Sequence, residues 1–158
     1  MHTSTYFPTG DGLRPHYFHR HSRRLRGLLL DQQAWFVLRD LAKLTASHLG
    51  PRVAQKLDPD QSRWERLAGT EEDELLVSES GVYALLMLHF YHPENRSLRQ
   101  WLSNEVVPVL RESGQHNALL PRHQFRQMHG QQVAVLDWQG RLWMRVVDAA
   151  RLMELERR

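Results

Sequence analysis

The chain has 158 residues, 41% of them hydrophobic and 25% charged, enough for one domain with a real core plus an appendage. It contains no cysteine, which excludes disulfides, thiolate zinc sites and cysteine nucleophiles. No run approaches the ~20 apolar residues of a membrane-spanning helix, and the polar amino terminus has no signal-peptide core, so a cytoplasmic, bacterial-type setting is expected. The formal net charge of +3 is unevenly spread. Residues 1–30 carry five Arg against one Asp, residues 31–114 nine Lys/Arg against thirteen acids, and residues 115–158 seven Arg against four acids. An acidic middle between basic flanks weakens the middle as a strong duplex binder, because duplex affinity draws on phosphate neutralisation.

Met1 to Pro15 is broken by Pro8, Gly10, Gly12 and Pro15 and reads as a loose segment. His16 to Arg26 is basic, aromatic and rich in histidine, and residues 1–24 are expected to form a basic arm. Arg23, Arg24 and Arg26 would contact phosphates, with Tyr17 or Phe18 stacking on bases; the alternative is a strand or tail with solvated charges. A metal site from His16, His19 and His21 fits no strong ligand signature.

Leu28 to Leu38 reads as a hairpin about a polar Asp31-Gln32-Gln33 turn. A helix follows from Asp40 with Leu41, Ala42 and Leu44, then a turn at Ser47–Gly50 and a second helix from Pro51 to Leu57, opened by proline. Helix, tight turn, helix is the outline of a DNA-reading unit, with Arg52 and Lys56 on one face and Gln55 able to meet a base edge. The alternative is a helical pair packed on the hairpin with its polar face in water. Beyond the Asp58-Pro59-Asp60 turn, Trp64–Leu67 is a strand whose partner is Leu75–Val77, separated by the acidic run Glu71-Glu72-Asp73-Glu74. That run is a solvated loop, or else a DNA mimic or docking site for a basic repressor face; it lacks the ligand alternation of a calcium loop.

Leu75 to Gly114 reads as a short strand and two helices. Ser78 is the expected N-cap of the first, with Glu79 at the positive end of its dipole. Val82 to Phe90 is almost wholly apolar, which predicts the central buried helix of the domain. Pro93 ends it. From Asn95 an amphipathic helix presents Leu98, Trp101, Leu102, Val106, Val109 and Leu110; Pro108 should bend or end it, and Gly114 should stop it. Trp35, Phe36, Trp64, Tyr83, Phe90 and Trp101 all fall at inward positions of the expected elements.

Residues 115–130 are expected to be a linker with a short helix, and residues 131–158 a partial repeat. In it Trp143, Asp148, Ala150, Arg151 and Leu152 echo Trp35, Asp40, Ala42, Lys43 and Leu44, with a turn that reads as two residues longer. Such a half-unit is expected to dock on the first domain, to pair with another chain or to begin a longer protein; docking or pairing is favoured, and unpaired strand edges favour a homo-oligomer, a dimer being the simplest. Ser78 and Ser80 are nucleophile candidates with His89 or His92 as base. His89 is about three turns from Ser78, however, and no nucleophile elbow, phosphate loop or zinc-protease motif exists, so no enzyme and no cofactor are expected.

Leu76-Val77-Ser78-Glu79-Ser80-Gly81-Val82-Tyr83-Ala84-Leu85 and Arg99-Gln100-Trp101-Leu102-Ser103-Asn104-Glu105-Val106-Val107-Pro108 resemble the N-terminal domain of the BRO family, which includes prophage antirepressors. Ala34-Trp35-Phe36-Val37-Leu38-Arg39-Asp40-Leu41-Ala42 resembles that family's other signature, and the three blocks run in order over residues 25–114. The resemblance implies a prophage-type transcription regulator that binds DNA through Arg39, Lys43, Arg52, Gln55 and Lys56, helped by Arg23, Arg24 and Arg26. Its alternative is an antirepressor that grips a phage-type repressor through Glu71, Glu72, Asp73 and Glu74, or through Arg96 and Arg99, without touching DNA. The fold expected is α+β: a small antiparallel sheet of hairpins on a buried helix and an amphipathic helix, plus a C-terminal hairpin-helix unit repeating the first.

Overall fold

The computed structural model describes residues 12–89, 93–113 and 119–157. The fold is α+β, with a five-stranded and a three-stranded antiparallel sheet. The first sheet has the order β1-β2-β3-β5-β4, formed by β1 His16–Arg20, β2 Arg23–Leu30, β3 Gln33–Val37, β4 Ser62–Glu65 and β5 Glu74–Ser78. The expected N-terminal arm is therefore part of this sheet from His16 onward. Phe18 pairs with Leu25 in register, and both are buried in the main core. Apolar residues two apart in β1 and β2 share the inner face, and that burial outweighs the basic character of the segment.

Successive strand residues point to opposite faces, and the two faces carry two cores. Phe18, Leu25, Ala34, Phe36 and Val77 face the helices, whereas Leu28, Trp35, Val37 and Leu76 pack with Leu67 on the other side. Trp64, expected inside, is 57% exposed on edge strand β4. Gly27 permits close packing on the helical side: a Cβ there would lie 3.0 Å from Leu110 and 3.2 Å from Phe36.

Two short helices follow β3, α1 Leu38–Leu44 and α2 Pro51–Ala54, with a 3₁₀ turn at Pro59–Gln61. Helix α3 runs Glu79–His89, and Ser78 caps it by accepting the Gly81 N–H at 3.2 Å. Val82, Leu85 and Leu86 are buried at helical spacing, but Met87 is 70% exposed, so α3 covers one face of the sheet rather than sitting buried on all sides. Its uniform apolarity misled the periodicity argument. Phe90, His92 and Gly114 lie outside the described residues, as does the side chain of His89.

The amphipathic helix is interrupted. Helix α4 Pro93–Trp101 passes into a π-helical segment, Leu102–Val106, and then into α5 Val107–Glu112. Pro108 has no N–H for the carbonyl four residues back, and the wider turn accommodates it without breaking the helix. Leu98, Trp101, Leu102, Val106, Val107 and Leu110 are buried against the sheet.

The second sheet comprises β6 Arg122–Met128, β7 Gln131–Trp138 and β8 Arg141–Met144, followed by α6 Val146–Glu156. Residues 122–128, expected as linker, are thus a strand, and the repeat is a three-stranded meander plus a helix. The two copies have turns of equal length, which corrects the expected two-residue difference. His21–Ser22 and Asp31–Gln32 in the first, and His129–Gly130 and Gln139–Gly140 in the second, all carry positive φ, as two-residue type I′ hairpins require. Pairing registers also agree: Arg20↔Arg23 and Leu30↔Gln33 correspond to Met128↔Gln131 and Trp138↔Arg141.

The second unit docks on the first within one chain. Phe125 meets Phe18 edge-on at 5.5 Å. Glu112 of α5 accepts from the His123 backbone N–H and lies 2.6 Å from its Nδ1. Gln132 accepts the His19 N–H at 2.9 Å, and Arg145 donates to Glu105 at 2.6 Å. Among the described residues no helix is long and apolar enough to cross a membrane.

Candidate nucleic-acid interface

The β1–β2 hairpin carries its charges around the His21–Ser22 turn. Arg24 is opposite His19 in register, and its guanidinium lies over the exposed Tyr17 ring at 5.2 Å. Arg23 is exposed and donates to the Lys43 carbonyl at the end of α1. Arg39 and Lys43 lie four residues apart on α1, so they share a face. Arg39 is largely exposed, with Glu74 3.7 Å away. Arg23 thus meets the end of α1, which carries Arg39 and Lys43, whereas Arg24 stands on the opposite face of β2 beside Tyr17.

Arg26 does not belong with them. It is buried, its backbone N–H donates to Asp40 at 2.9 Å, and its guanidinium donates to the same carboxylate at 2.8 and 3.1 Å. Glu74 adds a contact at 3.4 Å, and these carboxylates hold the Arg26 pKa above its ordinary value. A guanidinium buried against two carboxylates is not open to a phosphate. Glu74 is correspondingly removed from the acidic loop: it is the first residue of β5 and buried. Glu71, Glu72 and Asp73 are exposed, with Asp73 held by Arg66 at 2.9 Å.

Arg52, Gln55 and Lys56 are exposed, but α2 is a single turn, so the expected helix–turn–helix does not form. Gly50 and Pro51 start the helix, and the chain tightens into i→i−3 bonds at Lys56 and Leu57 before Pro59 can be reached. Arg96 is exposed and Arg99 half-buried on α4.

Sequence reasoning missed a groove of about 760 Å³ between the two units. It is lined by Arg20, Arg145, Arg151, Glu105 and Asp148, by the amides of Gln100, Asn104 and Gln132, and by Trp101. Arg20 stacks over Trp101 at 5.6 Å and donates to Ser97 at 2.7 Å. Arg145 joins Asp148 at 2.8 Å to Glu105 at 2.6 Å. Burial raises the Glu105 pKa from its ordinary value, with Arg145 opposing that shift. The Asp40/Asp148 echo is a sequence signal that could have pointed there, since both aspartates are buried acceptors of an arginine. Ser78 spends its hydroxyl on the α3 cap and on Ser80, and Ser80 also accepts from Gln61.

The fold and this surface define an α+β protein built on a duplicated meander-helix unit with a cationic hairpin tip. Comparison with family models, with curated proteins and with solved structures finds no match.

Proposed function

We propose that this chain is a nucleic-acid-binding transcription regulator of the prophage antirepressor type. The resemblance of its three sequence blocks to the BRO family supports the type. The observation that carries the binding surface is the approach of Arg23 to the end of α1, where Lys43 is exposed, with Arg24 over exposed Tyr17 on the other face of the same hairpin. Cations placed against an aromatic ring suit a phosphate backbone with a base or sugar stacked beside it. In this reading Arg39 extends the contact, and Arg52 and Lys56 lie at its periphery.

The test is fluorescence anisotropy with a labelled random-sequence duplex at about 50 and about 200 mM salt. Four phosphate contacts lower affinity roughly 10²-fold between those concentrations. Replacing Arg23, Arg24 and Lys43 together with Ala should flatten the salt slope by about three contacts and leave the melting temperature nearly unchanged. An absence of binding to any duplex at low salt ends the reading. The same assay on a single strand separates duplex from single-strand preference.

A further inference from the structure

The two repeats differ in what lies beyond their third strand. In the first, the outer edge of β3 is filled by β5, antiparallel, in the register Trp35↔Ser78, Phe36↔Val77 and Val37↔Leu76. The matching strand β8 pairs with β7 on one side, and among the described residues no strand pairs with its other edge. The burial at matched positions shows the consequence. Ala34, Trp35 and Leu38 are 1%, 5% and 2% exposed, whereas their counterparts Leu142, Trp143 and Val146 are 47%, 51% and 84% exposed. Side chains that form core in one copy stand in solvent in the other, next to an open ladder of backbone donors and acceptors.

We propose that the free edge of β8, with the first turn of α6, receives an extended strand from a partner protein. The first repeat sets its geometry: antiparallel, with an aliphatic residue opposite Met144 and a small one opposite Trp143, as Val77 and Ser78 stand opposite Phe36 and Trp35. Arg141 sets its charge. It is exposed, and no ion pair holds it among the described residues, so a carboxylate belongs opposite it, at the C-terminal end of the incoming segment. Backbone hydrogen bonds supply the affinity, and the alternating side chains supply the choice of sequence.

A second copy of the chain fits less well. Pairing β8 with β8 antiparallel about Trp143 sets Arg141 of each chain across from Arg145 of the other, and like charges directly opposite destabilise a sheet. The strand-accepting edge does not depend on nucleic-acid binding. Its residues lie outside the hairpin tip, so either reading can fail alone.

The experiment uses the full chain, isotopically labelled, titrated with a synthetic peptide of residues 74–80 in which glutamate takes the last place (Glu-Leu-Leu-Val-Ser-Glu-Glu), this chain's own β5 with a carboxylate at the position that the first repeat's register sets opposite Arg141. Amide shifts at residues 141–147 that saturate by about 1 mM peptide, and at least tenfold weaker binding by the Leu142→Lys variant, are the expected result. Arg141→Glu should weaken the same peptide and recover affinity when lysine replaces its final glutamate. Leu142 is half exposed, so L142K should keep the wild-type circular dichroism spectrum. No amide shifts at saturating peptide, or shifts confined to β4, overturn the proposal. So does a wild-type dimer that L142K dissociates, because the occupant is then a second copy.

Discussion

Replacing Asp40 with Ala should be the most damaging polar substitution in the first repeat. Asp40 accepts the backbone N–H, Nε and NH2 of Arg26, and the two side chains are only 3% and 8% exposed. Removing the carboxylate leaves a buried guanidinium with Glu74 alone, at 3.4 Å. Breaking a buried pair from one side costs ~3–5 kcal/mol. The surviving Glu74 contact places this case near ~3 kcal/mol, which for a chain of this size lowers Tm by roughly 6–12 °C. Urea melts followed by tryptophan emission measure the difference. The double replacement Arg26→Met with Asp40→Asn should cost less than D40A, since no buried guanidinium is left unpaired, the amide oxygen still accepts the backbone N–H at position 26, and Glu74 keeps Arg39 at 3.7 Å. A D40A cost under ~1 kcal/mol, or a double variant worse than D40A, would refute the view that Arg26 is held inside by this pair.

Three further outcomes are expected. Ser22 and Gln32 hold φ of 63° and 66° at the turn positions where the second repeat has Gly130 and Gly140, so Ser22→Gly with Gln32→Gly should raise stability by ~0.5–1 kcal/mol per site in urea melts. Glu105 has a raised pKa from burial, so its ionised form costs folding stability above that pKa, and the cost disappears as pH falls below the ordinary glutamate range. Glu105→Gln should therefore gain on wild type at pH 7 and lose that advantage as the pH is lowered, in thermal melts across the range; an advantage that grows at low pH contradicts the assignment. Tyr83 is pushed up to about 12 by burial and by Glu79, so its protonated form supports folding until alkaline pH removes it. Wild type should lose stability as pH rises from 10 to about 12, and Tyr83→Phe should not lose that part, with phenolate absorbance as the direct readout.

Much of the fold was legible because local rules and burial agreed. Ser78 before an apolar helix, the pairing of the strand near Trp64 with β5, and the apolar face from Leu98 to Leu110 all follow from capping and periodicity. The failures have specific causes. His16–Arg26 looks like a tail by charge, but Phe18 and Leu25 alone decide that it is sheet. Residues 122–128 are polar enough to pass for linker, because β6 is an edge strand with only partly buried side chains. Arg26 looked like its neighbours Arg23 and Arg24; what separated it was Asp40, fourteen residues away, and Glu74 on another strand. The groove was illegible for a related reason: its walls come from β1, α4, the π segment and α6, and no short window contains them.

The seam between the repeats has a further consequence. Apart from the Phe18–Phe125 contact, the ties named across it are polar: His123 to Glu112, Gln132 to His19, and Arg145 to Glu105. The second repeat buries few apolar side chains of its own, Val133 and Val135 among them. Parting the seam and melting that repeat are therefore one event, which opens at a lower free energy than the five-stranded core. Amide hydrogens of β7 should exchange together, ahead of those of β2 and β3, and whatever occupies the rim of β8 would slow that exchange by mass action.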